Sequence, residues 1–255
     1  MKRIIALLTA LTVLIVILPA QPAEEAASSG YVASTSWVAA IAELSGIDDV
    51  VTVAPASLRH PPEYEITADD IVRVAKAELF MYAGYEKMMD TIRTAVELSD
   101  EQTVKVKTTN TLGNLEKMVI LLSEKAGTEE KAEERFSEYR ALIDDARVRI
   151  ATSTNKDIEV YANTNQAEFA RDLGLNVISV FGSGPLTSAQ IEEAYEKAYA
   201  LVIDNVHNPV ASPIADVSPN SIILTWRNFP DHLGDNALYN VIKVNLESLW
   251  ETGLF

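Results

Sequence analysis

Cysteine is absent from this 255-residue sequence, and histidine occurs only three times, as His60, His207 and His232. Without cysteine the chain has no disulfide bonds and no thiolate ligands for a metal ion. The folded state must therefore be stable from its hydrophobic core alone.

Basic residues are also scarce. The chain has 21 lysines and arginines against 37 aspartates and glutamates, which gives a formal net charge of −16. Such a charge repels nucleic acid and anionic lipid, and it attracts cations to the surface. Because an excess of acid on an exported protein is more often a solubility feature, the charge excludes nucleic acid as a partner but does not establish cation binding.

The motifs of common enzyme classes are missing as well. The sequence has no cysteine nucleophile, no Gly-x-Ser-x-Gly elbow, no glycine-rich phosphate loop and no His-Glu-x-x-His pair. The short Gly182-Ser-Gly184 turn is a common loop sequence. These absences predict that the protein is not an enzyme.

The N-terminus has the pattern of a secretory leader. A short basic start precedes the apolar run Ile4–Leu18, and small residues follow it. The run is too short for a comfortable membrane span, so it predicts a signal peptide over residues 1–23, with cleavage near Ala20 or Ala23. Residues 24–30 are acidic and small, which is typical of a flexible spacer. We therefore expect a periplasmic protein, or one on the outer face of the cell membrane if the leader stays as an anchor.

The rest of the chain alternates short apolar runs with amphipathic segments, which is typical of an α/β protein. We expect two lobes, residues 31–127 and 154–255, each a small parallel sheet flanked by helices. The predicted strands begin at Tyr31, Val50, Leu79 and Thr103 in the first lobe and at Ile158, Asn176, Leu201 and Ser221 in the second.

One long helix is predicted between the lobes, over residues 128–153. Gly127 precedes it, and Thr128 is followed by two glutamates. Apolar residues then recur every three or four positions, which is the spacing of one buried helix face. They are Ala132, Phe136, Tyr139, Ile143, Ala146 and Ile150. About 25 residues at 1.5 Å per residue span about 37 Å, enough to cross from one lobe to the other.

Three segments together resemble a known family. The loop Arg59–Asp70 contains a histidine and runs through Tyr64-Glu-Ile-Thr-Ala-Asp-Asp70 into a helix start, while Phe169–Leu175 and Ala237–Leu249 match later helices in order and spacing. The sequence resembles the TroA-like zinc and manganese receptors of ABC importers. The resemblance implies two lobes joined by a rigid helix, a divalent metal ion as cargo, a membrane permease as partner, and a monomer.

The resemblance also implies four positions for metal ligands. In this chain they fall at Pro62, at Lys107 or Thr108, at Asn163 and at Thr225. None of these residues is a histidine or an acid, although His60 lies two residues before Pro62. The usual ligand set of the family is therefore replaced.

Other residues are predicted to form a site at the carboxyl ends of the strands, where ligands bind in open α/β sheets. His60 from the first lobe, with Asp204 and His207 from the second, is expected to hold a zinc or manganese ion between the lobes, and His232 is the next candidate. Imidazole and carboxylate suit such ions. The alternative is that these histidines are ordinary loop residues and that Asp204 only forms a turn.

A second interpretation of the same region is a metal chelate, or a polar or anionic small molecule, as cargo. Asn163, Asn165 and Thr225 suit hydrogen bonding, Arg227 suits a carboxylate or phosphate, and Trp226 suits a flat ligand. Trp226 as a core residue and Arg227 as a solvated one remain the alternatives. A surface adhesin with no transport ligand is the third possibility on this scaffold.

Overall fold

The computed structural model describes residues 30–234 and 236–255. The predicted signal peptide, and the predicted spacer apart from Gly30, lie outside the described residues. Within the described part of the chain, no helix is long and apolar enough to cross a membrane.

The first lobe is a parallel four-stranded sheet with helices packed against it. Its strands are β1 (Tyr31–Ala33), β2 (Val51–Thr52), β3 (Leu79–Tyr82) and β4 (Thr103–Lys105), and its helices are α1 (Ser36–Leu44), α2 (Ala68–Ala75) and α3 (Met88–Ala95). The strand order is β2-β1-β3-β4. Val32 and Phe80, which pair in register, are fully buried, as expected for a sheet covered on both faces.

Two helices follow the first sheet: α4 (Leu112–Ala126) ends the first lobe, and α5 (Glu129–Thr152) is the long helix that links the lobes. Gly127 separates them and has a φ of 67°, in the left-handed region that favours glycine at a helix end. The 24 residues of α5 span about 36 Å. The buried residues of α5 are the six that the apolar spacing predicts.

The second lobe repeats the architecture. Its strands are β5 (Val160–Asn163), β6 (Val177–Phe181), β7 (Leu201–Asn205) and β8 (Ile222–Trp226), and its helices are α6 (Thr164–Asp172), α7 (Ser188–Lys197), α8 (Ser212–Val217) and α9 (Ala237–Glu251). The parallel strands are ordered β6-β5-β7-β8. The prediction of an α/β protein with two parallel-sheet lobes and one long linking helix is confirmed.

The largest apolar core among the described residues runs through both lobes. It contains Met81 from the first sheet, Phe136 and Ile143 from α5, and Ile203 from the second sheet. The C-terminal helix α9 packs against α1 of the first lobe. Because both lobes share buried contacts with α5 and α9, relative movement of the lobes requires repacking of this core.

The end of α1 lies very close to the start of α5. Gly46 has a φ of 81°, and a Cβ atom there would stand 2.8 Å from both the Thr128 carbonyl oxygen and the Lys131 Cβ. The Thr128 hydroxyl donates to the Ser45 carbonyl at 2.7 Å. Lys131 and Arg135 both pair with Asp48, and these two hydrogen bonds lower the pKa of its carboxyl group. Only glycine fits this joint without displacing backbone atoms.

Two local features differ from the prediction. The segment from Tyr85 to Leu98, which its amphipathic pattern predicts to be one helix, is helical only over Met88–Ala95. The helix begins late because Glu86 turns into the protein and accepts hydrogen bonds from the backbone N–H groups of Ala83 and Gly84. Helix α8 was not predicted, since its Ser-Pro start is also typical of a turn. Proline in the first helical turn loses no hydrogen bond, so the helix tolerates it.

Candidate functional site

A cavity of about 450 Å³ lies between the lobes at the carboxyl ends of the strands. Each of the eight strands is followed by a residue that lines it, as expected for ligand binding in open α/β sheets. In strand order, β1 to β8, these residues are Thr35, His60, Tyr85, Thr108, Asn165, Ser183, His207 and Phe229. The cavity has the size of a site for a small organic molecule.

Arg59 connects the two lobes along one side of the cavity. Its Nε donates to the carbonyl oxygen of His207 at 2.9 Å, and its Nη2 donates to the carbonyl oxygen of Val206 at 3.3 Å. Both acceptors belong to the loop after β7, so one first-lobe side chain holds a second-lobe loop in place. Its Nη1 has no hydrogen-bond partner among the described residues.

Asn110 makes a second connection between the lobes. Its Oδ1 accepts from the indole Nε1 of Trp37 at 3.0 Å, and its Nδ2 donates to the carbonyl oxygen of Asn228 at 2.7 Å. Asn110 is buried and follows β4, while Asn228 follows β8. The amide therefore fixes both the tryptophan ring and the second-lobe loop that carries Phe229.

Three rings form a stack along the cavity wall. The Trp37 and Phe229 ring centroids are 5.4 Å apart, and those of Phe229 and His207 are 3.7 Å apart with an interplanar angle of 10°. Trp37 belongs to the first lobe and the other two rings belong to the second. This stack gives the cavity a flat apolar side that both lobes build.

His207 is buried and uncharged. Burial lowers the pKa of His207 to about 4, and the positive charges of Arg227, His60 and Arg59 act in the same direction. Its Nε2 is one of three buried side-chain atoms without a hydrogen-bond partner among the described residues, and of the three residues only His207 lines the cavity. Leaving such an atom unsatisfied costs about 1–3 kcal/mol, which a ligand atom or a water molecule would recover.

Asp204 and Asn163 lie beneath the cavity. The Asp204 Oδ2 accepts from the backbone N–H groups of Val210 and Ala211, both at 2.7 Å, and its Oδ1 accepts from Asn163 Nδ2 at 3.2 Å. The Asn163 Oδ1 in turn accepts from the Asn165 N–H at 3.0 Å. Asp204 and Asn163 are buried and do not line the cavity. They shape the loops from which Asn165 and His207 reach it.

The other predicted site residues lie apart from the cavity lining. Trp226 is fully buried and packs against Phe169, so its ring belongs to the core. Thr225 is exposed on β8, and Arg227 pairs with Asp231 at 3.1 Å. His232 is exposed and hydrogen-bonds Asp231 at 2.9 Å. Neither these four residues nor Asp204 lines the cavity with His60 and His207.

The acidic and imidazole groups of the cavity do not form a cluster. His60, Glu168 and His207 are the residues of these types in its lining. Among the described residues, no group of three or more histidines, aspartates or glutamates is arranged to hold a metal ion. Of the four positions that the family resemblance implies, Pro62 and Thr108 line the cavity, while Asn163 and Thr225 do not.

The residues of the site that were not predicted include Trp37, Arg59, Asn110 and Phe229. Arg59 stands next to His60 in a loop already identified as a ligand loop, so its position carried a signal. Trp37 lies two residues after the Thr35 that follows β1. Asn110 and Phe229 lie farther from their strand ends, and their roles depend on contacts between the lobes that no local pattern reveals.

Neither a protein-family model nor a curated protein sequence matches this chain. Solved structures do match it. The laminin-binding protein Lmb of Streptococcus agalactiae, described as an adhesin with metal-transporting activity, superimposes with a TM-score of 0.67 at 14% identity, covering 87% of this chain and 98% of that one.

Two further structures have the same architecture. The Mn-bound periplasmic metal-binding protein of Candidatus Liberibacter asiaticus gives a TM-score of 0.62 at 15% identity, over 88% of this chain and 99% of that one. The laminin-binding protein Lbp of Streptococcus pyogenes gives 0.64 at 13% identity, over 87% and 97%. The chain therefore has the TroA-like fold over nearly all of its described length.

Proposed function

We propose that this protein is an extracytoplasmic solute receptor, which takes a small cargo molecule in the cleft between its lobes and delivers it to the membrane permease of an ABC importer. The observation that carries the proposal is the interlobe cavity, because a residue after each of the eight strands lines it. The shared fold supports the same class of function, since similar structures are described as metal-binding and metal-transporting proteins.

The cargo that best suits this cavity is a polar or anionic small molecule, or a metal ion already enclosed in a chelate. The lining contains two histidines and one glutamate, which form no ligand cluster. It also contains an arginine, several amide side chains and stacked aromatic rings. Such a surface offers hydrogen bonds and flat apolar contacts to an organic molecule, while a bare ion would find few ligands.

A bare divalent ion is the second candidate. The observation in its favour is the neutral imidazole of His207, whose Nε2 has no partner among the described residues, in the same cavity as His60. Neutral imidazole is a ligand for zinc and manganese. Two imidazoles would leave most of the coordination shell to water, so we expect weaker binding than an importer requires.

Native mass spectrometry on protein isolated without denaturation tests the proposal. We expect an added mass of a small molecule that disappears in Trp37→Ala, a variant that removes one wall of the cavity. His232→Ala is the matched control, because this exposed histidine lies outside the lining, and it should keep the added mass. A protein that carries no solute and instead binds laminin would identify an adhesin and contradict the proposal.

Thermal unfolding of protein freed of bound ligand and metal, titrated with metal ions, distinguishes the two kinds of cargo. A ligand at 100 times its Kd stabilises the folded state by about 2.7 kcal/mol. For a protein of this size that raises Tm by roughly 5–11 °C. We expect no such rise with Zn²⁺ or Mn²⁺. A rise of this size that vanishes in His60→Ala and His207→Ala, but not in His232→Ala, would favour the bare ion.

A further inference from the structure

The cavity does not share the acidic excess of the protein as a whole. The chain carries a net charge of −16, yet among the described residues that line the cavity the one acid, Glu168, is matched by the one arginine, Arg59. Arg227 is close enough for its charge to act on His207. A site for a free cation would place several acids here, so the local charges do not favour a free cation.

Arg59 is held in a position to receive an anion. Its Nε and Nη2 are fixed by two backbone carbonyl groups of the second lobe. The remaining Nη1 has no partner among the described residues, and the guanidinium is planar and always charged. A carboxylate or similar group in the cavity would therefore find a pre-oriented donor instead of a freely moving side chain.

His207 supplies a second, independent sign of a ligand. Its ring is fixed by the close stack on Phe229, and its backbone N–H donates to Asn205 Oδ1 at 2.8 Å. The side-chain Nε2 is buried without a partner, although the residue lines a cavity large enough for a small molecule. A ligand held beside Arg59 would give this Nε2 the hydrogen-bond partner that it lacks among the described residues.

The stacked rings define the other half of the ligand. Trp37, an end member of the three-ring stack, lines the same cavity, and Phe229 and Phe169 add two further aromatic side chains. Flat molecules bury their faces against such rings at little cost in conformational entropy. A ligand that contacts both regions has an anionic group joined to a planar apolar body.

We propose that the cargo is a small organic carboxylate with a planar apolar body, with its carboxylate against Arg59, close to His60 and His207, and its planar body against Trp37. This inference rests on the proposed receptor function and adds the chemical class of the cargo. It distinguishes the cleft from a site for a free metal ion or for a neutral polar solute.

The three histidines allow a direct test by NMR of the imidazole ¹H–¹³C signals in stripped protein, assigned with His60→Gln, His207→Gln and His232→Gln variants. The probes are benzoate, its neutral counterpart benzamide, inorganic phosphate and zinc chloride. We expect benzoate to shift the signals of His60 and His207 in a saturable manner while those of His232 stay unchanged. Benzamide and phosphate should each bind at least about tenfold more weakly.

Arg59→Met and Arg59→Lys test the position of the carboxylate. We expect the methionine variant to raise the Kd for benzoate at least about tenfold, and the lysine variant, which keeps the charge but not the fork, to lie between it and the native protein. Unchanged His207 signals in both ligand-free variants would verify that the loop after β7, which Arg59 holds, keeps its structure.

Four outcomes would overturn the inference. If benzamide bound as tightly as benzoate, the cargo would not need an anionic group. If phosphate bound as tightly as benzoate, the cargo would not need a planar body. Saturation of both histidine signals by one equivalent of zinc would replace the organic ligand with a metal ion. In these three cases the receptor function survives. The inference about the cargo would also be overturned if no probe shifted the histidine signals at concentrations up to about 10 mM. If the same sample then bound laminin, that result would contradict the receptor function itself.

Discussion

The buried histidine makes stability depend on pH in a window that few other groups share. In the unfolded chain His207 titrates near its ordinary pKa of 6.5, whereas in the folded protein its pKa is about 4, because burial and the charges of Arg227, His60 and Arg59 oppose protonation. As the pH falls below 6.5, the unfolded state takes up a proton first. The stability that neutral His207 contributes is therefore fully present above pH 6.5 and is lost as the pH falls towards 4.

The magnitude follows from the two pKa values. Between pH 7.5 and pH 5 the lowered pKa of His207 decreases the free energy of unfolding by about 2 kcal/mol, out of about 3 kcal/mol for the whole range between the two pKa values. Asp48, Asp70 and Asp231 also have lowered pKa values, but their ordinary value is 3.8, so they contribute mainly below pH 4. A measurement at pH 5 thus reports His207 with little contribution from these carboxylates.

Urea unfolding of ligand-free protein at pH 7.5 and pH 5 measures this contribution. His207→Phe is the informative variant, because a phenyl ring can keep the stack on Phe229 and the backbone contacts to Arg59 and Asn205 remain. We expect the native protein to lose about 2 kcal/mol more than this variant between the two pH values. His232→Phe should behave as the native protein does. An equal loss in the native protein and in His207→Phe would refute the reasoning.

Three further predictions concern stability and are all measurable by urea unfolding. Gly46→Ala should cost more than about 2 kcal/mol, since it adds a steric clash to a left-handed φ, whereas Gly127→Ala, with a similar φ and open space around it, should cost about 1 kcal/mol. Equal losses would mean that α1 and α5 do not meet tightly. Glu86→Gln should cost about 2–3 kcal/mol, because it turns an amide group towards buried donors, while the exposed Glu63→Gln should stay within about 0.5 kcal/mol. Thr67→Ala should lower the free energy of unfolding by about 1 kcal/mol, because it removes the cap of α2, whereas Thr67→Ser keeps the hydroxyl and should retain most of that stability. Equal stability of the two variants would show that the cap does not stabilise the protein.

The helices were predictable wherever the signal is local. The buried face of α5 consists of the six residues that the apolar spacing identifies, because side chains three and four positions apart share a helix face. The capping boxes at Thr67 and Thr187 are local in the same way, because an N-cap residue and the third residue of its helix are always neighbours. Such signals need no knowledge of the rest of the fold.

The site was predictable only as a region. Strand ends lead to the cavity at His60, Asn165 and His207, in agreement with the rule for parallel sheets. The rule gives the end of the sheet but not the direction of each side chain. Asp204, one residue before the end of β7, points to the following loop and accepts hydrogen bonds from two of its backbone N–H groups. Asn163 bonds to it from the neighbouring strand.

The two tryptophans near strand ends illustrate the same limit. Trp226 is the last residue of β8 and lies in the core against Phe169, whereas Trp37 lies in the first turn of α1 and lines the cavity. In the sequence both are aromatic residues beside polar neighbours. Their different roles result from Asn110, which comes from another loop and fixes the Trp37 indole at the cleft.

The charge of the cleft could not be predicted from composition, for a physical reason. A net charge of −16 describes the whole surface, and at physiological salt its influence is screened within about 8 Å. The field inside the cleft is determined by the nearest groups, and these include Arg59, Glu168 and His207, whose neutral form is favoured. An acidic protein can therefore hold a cleft without the acidic excess of its surface, and the chain's overall attraction for cations supports no conclusion about what the cleft itself binds.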